Sequence, residues 1–376
     1  MKTITRTTCI ICEGSLDITH SFPKFPIFMG TSDEPRQNDI CEDLNFTKCH
    51  DCGCIQLSKL IPLDILYEKS HNAAIGKTWE QHHLEFYNFI KSYAKGTIIE
   101  VGGGNLHLAK HLEQESFIDK IIVYDTNTYG KLKSNKIEMR EEFFNLESAQ
   151  NTKVDMVIHS HLMEHLYDPV AEIRSMSDTL QEGGHMAIAI PRIDNMLKDN
   201  FTNAMNFEHT YMITDDILED ILGRANLEIV ETKNFSKYTK FVMARKKLGI
   251  DLYFRRYPEC ITIFNNFVKY HIEEVDIIKR KLEADYCKED TFIFGAHIFT
   301  QYLLNLGLDE ELFSNILDND PRKIGNRLYG TNLIVNSPKI LKDIEKPTVV
   351  LKAAQYNDEI TTDILDNINP NTEFIT

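Results

Sequence analysis

Residues 97–112 read TIIEVGGGNLHLAKHL. The apolar run ending at Val101 predicts a strand, three glycines predict a turn, and LHLAKHL predicts the start of a helix. Glycines at that junction let the backbone approach a nucleotide closely. Two familiar phosphate-binding forms do not fit. A dinucleotide turn needs G-x-G-x-x-G; Gly102 and Gly104 satisfy it, but His107 occupies the third position. A P-loop needs Gly-Lys-Ser/Thr, which does not follow. What remains is Glu100 closing a strand two positions before a G-x-G turn. A carboxylate there suits the cationic or hydroxylated parts of a ligand without a pyrophosphate.

Working outward, KIIVYD, VDMVIHS and HMAIAI are further strand-like runs separated by helical segments. This alternation predicts a parallel sheet in a doubly wound α/β domain. QEGGH reads as the loop ahead of HMAIAI, and NLEIVETKNF with KFVMARK as a closing antiparallel pair. A helical stretch over residues 62–94 carries the only tryptophan, Trp79. A long helix over residues 259–287 follows the core, with Ile272, Val275, Ile278 and Leu282 forming one apolar face. Strand and helix signals then restart with TFIFGAH, SNILDND, TVVLKA and TEFI. The expected division is 1–62, 63–248 and 249–376, the last being a second, smaller α/β unit.

The 376 residues carry 41 Lys and Arg against 57 Asp and Glu, a formal charge of −16. A field of that sign disfavours nucleic acid and anionic membranes as partners and leaves a small-molecule substrate. No secretory signal and no run of transmembrane length is read from the chain, so cytoplasm is the expected compartment. Oligomeric state is not readable.

In that compartment eight cysteines point to metal or redox use rather than disulfides. Cys9-Ile-Ile-Cys12 and Cys49-His50-Asp51-Cys52 form C-x2-C pairs, each followed by a glycine, Gly14 and Gly53, where a tight turn calls for positive φ. Two such turns complete a tetrahedral thiolate site, so Cys9, Cys12, Cys49 and Cys52 are expected to hold a structural Zn2+. Cys41, Cys54 and His50 are competing ligands.

The segment from Glu100 to Gly104 resembles the first motif of class I S-adenosylmethionine (SAM) methyltransferases. The resemblance implies a Rossmann-like core with Glu100, Gly102, Gly104 and Asp125 around SAM, Asp125 taking the ribose hydroxyls. VDMVIHSHLMEHLYDP is similar to the EH-(L/I)-x-D-P segment of these enzymes, which puts Ser160 and His161 at the cofactor. Glu164 and His165 are expected to open the next helix.

Beyond the fifth strand lie IPRIDNML and MNFEHTYMITDD. A Glu-His pair at the rim of a methyl-transfer cleft invites a general-base reading, because the acceptor must be aligned and relieved of its proton. The structural alternative is a loop anchor ahead of a helix capped by Thr214. CHDCGCIQL, WEQHHLEF, FIFGAHIFTQYLLNLGL and ILDNDPRKIGNRLYGTNLIVNSP complete a resemblance to three-domain deoxysugar C-methyltransferases. It implies an activated, nucleotide-linked sugar as substrate, in surface-glycan or secondary-metabolite biosynthesis, with His209 as base and Glu208 beside it. Two tyrosines that flank the sugar in that family fall at Asn206 and near His71 here. Those positions are the candidate substrate contacts, and their change of residue keeps an N- or O-methyltransferase on an amino- or amidino-sugar open. A non-catalytic zinc- and SAM-binding interaction protein is the remaining alternative.

Overall fold

The computed structural model describes residues 2–67, 77–104, 106–126, 134–147, 149, 152–250, 253–284, 287–353 and 356–376. His71 lies outside the described residues. The first block is more ordered than its turn-rich composition suggests. Strands β1 (Leu16–Pro26), β2 (Cys41–Cys49) and β3 (Ile55–Leu57) form an antiparallel sheet. Register shifts between Ile18 and His20 and between Phe22 and Phe25 break the two-residue alternation that would have announced β1.

Strands β4 (Gly96–Val101), β5 (Ile118–Tyr124), β6 (Ile137–Arg140), β7 (Val154–Ser160), β8 (Leu180–Pro191), β9 (Leu227–Asn234) and β10 (Thr239–Lys246) form the central sheet. Its order is β9-β10-β8-β7-β4-β5-β6. The five strands β4 to β8 run parallel, while β10 is antiparallel to both β8 and β9. Parallel strands covered on both faces read as near-continuous apolar runs. Accordingly Met156, Val157, Ile158, Ala187 and Ile188 are all buried. QEGG falls inside β8 rather than ahead of it, where the pairing with β7 slips between Val154 and Met156.

Helices α1 (Lys77–Ile90) and α2 (His107–Glu113) pack against one another near β4 and β5. Helix α3 (Pro169–Thr179) is opened by Asp168, whose carboxylate accepts from the Ala171 N–H, with proline at the first turn. Glu164 and His165 therefore stand before that helix, in a 3-10 turn over Met163–His165. A short helix α4 (Ile193–Lys198) follows β8, and α5 (Asp215–Arg224) is capped by Thr214, as its sequence predicts.

The long helix α6 (Pro258–Ala284) buries Val275, Ile278 and Leu282 as expected, but Ile272 is 42% exposed. The inner row continues instead through Phe264, Phe267 and His271. Strands β11 (Thr291–Phe294), β12 (Asn315–Leu317), β13 (Val335–Asn336), β14 (Thr348–Leu351) and β15 (Glu373–Ile375) make a second, all-parallel sheet, ordered β13-β12-β11-β14-β15. Helices α7 (Ile298–Asn305) and α8 (Asn357–Asn367) belong to this unit. One apolar cluster joins Phe22, Phe25 and Phe46 of the first block to Ile188 of the central sheet, Phe264 of α6 and Tyr302 of α7. Among the described residues, no helix is long and apolar enough to cross a membrane.

Candidate active site

Open α/β sheets bind ligands outside the carboxyl ends of their strands. A cavity of about 340 Å3 lies there, lined by Val101 and Gly102 after β4, Asp125 and Thr126 after β5, Glu142 to Phe144 after β6, and His161 after β7. Gly102 has φ +78, a value costly for any residue with a Cβ. The middle glycine matters for a different reason: a Cβ at Gly103 would meet the Glu100 side chain at 2.5 Å. Glu100 thus sits beneath the turn, 6% exposed, and is not among the residues lining the cavity. Burial and the nearby Asp125 charge push its carboxyl up to about 8. Asp125 does line the cavity, and its carboxylate accepts the Gly104 N–H at 2.8 Å. Ser160 ends β7 and reaches neither cavity wall. The chain turns at His161, which has φ +50 and gives its N–H to the Ala189 carbonyl, and His161 lines the cavity. His107, the residue that spoils the dinucleotide pattern, stacks on His83 with ring centroids 5.0 Å apart.

His161 and His165 also line a second cavity, of about 890 Å3. All three blocks build it: Phe28 to Thr31 from the first, Trp79, Asn206, Glu208 and His209 from the centre, and His297, Asp320, Arg322 and Lys323 from the last. His297 belongs to the GAH turn after β11, and the Asp320 group follows β12, so the second sheet also presents its carboxyl edge here.

The loop between α4 and α5 is held from within. Asn206 accepts the N–H groups of Glu208 and His209 at 2.7 and 3.1 Å and donates to the Asn203 carbonyl. Its side chain therefore shapes the wall as well as lining it. His209 donates Nδ1–H to the Ala204 carbonyl at 2.9 Å, which leaves the lone pair on Nε2. Its ring lies edge-on to His165, 5.0 Å between centroids. Tyr211 is buried beneath the loop with its hydroxyl donating to the Met163 carbonyl.

Glu164 is 1% exposed, with His161 Nδ1 at 3.4 Å and His165 Nε2 at 3.8 Å. Burial works to raise its carboxyl, but the hydrogen bond to His161 and the imidazoles of His165, His161 and His209 hold it at about 2. Burial lowers the His165 imidazole.

Comparison with known proteins adds a family to this geometry. Residues 80–232 match the family described as a methyltransferase domain. The chain carries a methyltransferase domain. No curated protein matches it. Among solved structures it is similar to a SAM-dependent methyltransferase from Aquifex aeolicus, at 15% identity over 46% of this chain and 100% of that one, with a TM-score of 0.34. A second, from Mesorhizobium loti, shares 13% identity over 45% of this chain and 98% of that one, TM-score 0.35. An O-methyltransferase family protein from Burkholderia thailandensis shares 14% over 45% and 57%, TM-score 0.36.

Away from the methyltransferase cleft, the Sγ atoms of Cys9, Cys12, Cys49 and Cys52 all lie within 4.8 Å of one another. Cys9 and Cys52 are 3.6 Å apart, Cys12 and Cys49 3.5 Å. The N–H groups of Ile11 and Cys52 point at the sulfurs of Cys9 and Cys49. The two turns differ in how they use glycine. Gly53 has φ +86, but in the first turn Glu13 takes the positive φ of 61, and Gly14 is needed for space, since a Cβ there would meet Asp51 Oδ2 at 2.4 Å. Cys41 is exposed and His50 is exposed beside Asp51; Cys54 is buried with its thiol against Cys9, yet the four sulfurs that lie mutually within 4.8 Å are those of Cys9, Cys12, Cys49 and Cys52.

Residues the sequence reading missed share one property. Gly103, Tyr67, Glu142, Glu164 and the Asp320–Lys323 turn enter the site through the fold, and their local patterns resemble ordinary turns. Gly103 carried a signal in the glycine turn, Glu164 as half of the EH pair in VDMVIHSHLMEHLYDP, and Asp320–Lys323 within ILDNDPRKIGNRLYGTNLIVNSP; Tyr67 and Glu142 carried none.

Proposed function

We propose that this methyltransferase transfers the SAM methyl group to an activated, nucleotide-linked sugar. In this reading SAM occupies the smaller cavity, against Gly102, Asp125 and His161, with Glu100 supporting the glycine turn from below and Gly104 fixing Asp125. The acceptor occupies the larger cavity. Lys237, Arg322 and Lys323 line its walls, paired with Asp199, Asp320 and Asp318, and a diphosphate would bind by exchanging for those carboxylates.

The observation that carries the reading is the state of His209. With Nδ1–H spent on a backbone carbonyl, Nε2 is left as a proton acceptor beside the shared His161–His165 wall. His209 is therefore proposed as general base, and Glu208 as its accessory. Methyl transfer is an in-line displacement at a carbon activated by positive sulfur, so alignment and proton removal are what the protein supplies. His71 and Asn206 remain proposed acceptor-side residues, Asn206 chiefly by shaping the wall. The division 1–62, 63–248 and 249–376 is proposed with a zinc unit, a methyltransferase core and an acceptor-covering unit.

The Cys9, Cys12, Cys49 and Cys52 cluster fits a tetrahedral Zn2+, and four thiolates would leave no open position, so the ion would be structural. Zinc found in protein purified without chelator, and lost on Cys12→Ser substitution, supports this part.

A second reading is N- or O-methylation of an amino- or amidino-sugar. It is favoured by Asn206, which stands where the resemblance expects a tyrosine; carbon acids need their enolate stabilised, whereas a neutral nitrogen acceptor does not. The deciding experiment is a mass-spectrometric search for a nucleotide-sugar that gains one methyl group in cells expressing the chain, repeated with His209→Asn. Collapse of transfer supports carbon methylation with His209 as base. Retention of most activity supports the nitrogen acceptor. Absence of any methylated sugar, with no SAM turnover, returns the chain to a non-catalytic binding role.

A further inference from the structure

Glu164, His165 and His209 come from two separated stretches, the 3-10 turn after β7 and the loop after α4. Each nonetheless presents a ligand atom within 4.8 Å of the other two. Two imidazoles and a carboxylate suit divalent Zn, Fe, Mn or Co. The imidazoles are also oriented as ligands are. His209 has its Nδ1 pinned by the Ala204 carbonyl, so only Nε2 can serve the cluster. His165 has Nδ1 3.1 Å from the Tyr67 hydroxyl and Nε2 3.8 Å from Glu164 Oε1. Metal-binding histidines carry such an outer partner on their second nitrogen, fixing tautomer and ring angle.

An independent observation comes from the carboxylate. Glu164 is 1% exposed, and its Oε2 has no hydrogen-bond partner among the described residues. A buried carboxylate oxygen left without a partner is costly, and a cation removes that cost. Glu164 lines the larger cavity, as do His165 and His209.

We propose that Glu164, His165 and His209 bind a divalent transition-metal cation on the wall of the acceptor cavity, with coordination positions left open to the acceptor. Three protein ligands with open positions are the pattern of reactive rather than closed sites. An acceptor oxygen seated on the ion is polarised. That supplies the anion stabilisation an enolate needs, at the place where Asn206 stands instead of a tyrosine. This purpose rests on the acceptor reading above; the binding itself rests on ligand geometry. The single lone pair of His209 Nε2 cannot hold the cation and a proton at once, so in the metal-bound protein His209 is a ligand and the acceptor proton passes to the Glu208 carboxylate on the same wall.

The test uses the full-length protein, loaded with Co2+ and followed by metal analysis and absorption. Cobalt on the cysteine cluster gives strong thiolate-to-metal charge-transfer bands, whereas cobalt on nitrogen and oxygen gives weak ligand-field bands only. The wild type is expected to take up a second equivalent marked by the weak bands. Glu164→Gln and His209→Ala should each abolish it while the thiolate bands persist, the near-isosteric Glu164→Gln guarding against misfolding. Tyr67→Phe, removing an outer partner, should weaken it by about 10- to 100-fold. Cobalt bound through thiolates alone, or a second equivalent that survives both variants, overturns the proposal. Weak bands without thiolate bands support it and sink the zinc reading of the cysteines instead.

Discussion

Glu100 is expected at the cofactor by resemblance and is found beneath the glycine turn. Its position, two before a glycine turn, marks the carboxyl end of the first core strand, and the side chain lies under Gly103. There burial, with Asp125 nearby, raises its carboxyl to about 8. A raised native value means that the folded protein holds a proton which the unfolded chain has already released. The stabilising contribution is whole below the ordinary glutamate range and is lost as pH rises toward 8. Within that window the loss is roughly 1.4 kcal/mol per pH unit. Glu100→Gln carries a permanently neutral side chain of the same shape and lacks this slope. Urea denaturation of ligand-free protein at several pH values should show the variant gaining on the wild type as pH rises from mildly acidic to mildly alkaline. Parallel curves would mean that Glu100 is ionised in the native state.

At the scale of elements, what was legible followed from burial. Strands β4, β5, β7 and β8 are covered on both faces and spell apolar runs; β9 and β10 were legible as a closing pair although neither alternates, β10 burying Phe241 to Ala244 in succession and β9 only Leu227. Strand β6 was missed because IEMR is four residues at a sheet edge with one side chain buried. Strand β13 spans two residues, too few to carry any period. The first sheet was hidden by bulges and by Pro23 within β1. The site loop was half legible: FEH drew attention, but nothing in the string says that Asn206 organises it. Its oxygen meets two backbone N–H groups. Asn206→Ala strands both donors, at about 1–3 kcal/mol for each that stays buried. Hydrogen exchange at the Glu208 and His209 amides should quicken in Asn206→Ala and stay slow in Asn206→Asp, which keeps the acceptor. Equal protection in all three proteins would show that the loop is held by its packing alone.

At the scale of the whole molecule, the two cavities proposed for donor and acceptor depend on different joints. The smaller cavity draws every lining residue from 63 to 176, within the core. The larger one needs the first and last blocks to meet, and there the sequence offered only a resemblance, because the meeting residues are nearly 300 positions apart. Strand pairing of Thr31–Ser32 with Arg327–Leu328 makes the joint, and Gln301 donates across it to the Phe28 carbonyl and within the last block to the Tyr329 carbonyl. At its centre Arg327 holds Asp39 through two nitrogens, at 2.5 and 2.6 Å, both side chains buried. Asp39 also accepts the Gly330 N–H. Removing one partner of such a pair leaves a buried charge, at a cost of about 3–5 kcal/mol. Asp39→Ala should therefore split denaturation into two transitions, the first releasing the last block. Because Phe28 to Thr31 sit beside the joint, nucleotide-sugar binding should weaken while SAM affinity stays as in the wild type. Replacing both partners, Asp39→Leu with Arg327→Met, should recover much of the lost stability, since no charge is left stranded. If SAM affinity fell together with stability in Asp39→Ala, the two cavities would share one cooperative unit, and this separation of donor from acceptor would be wrong.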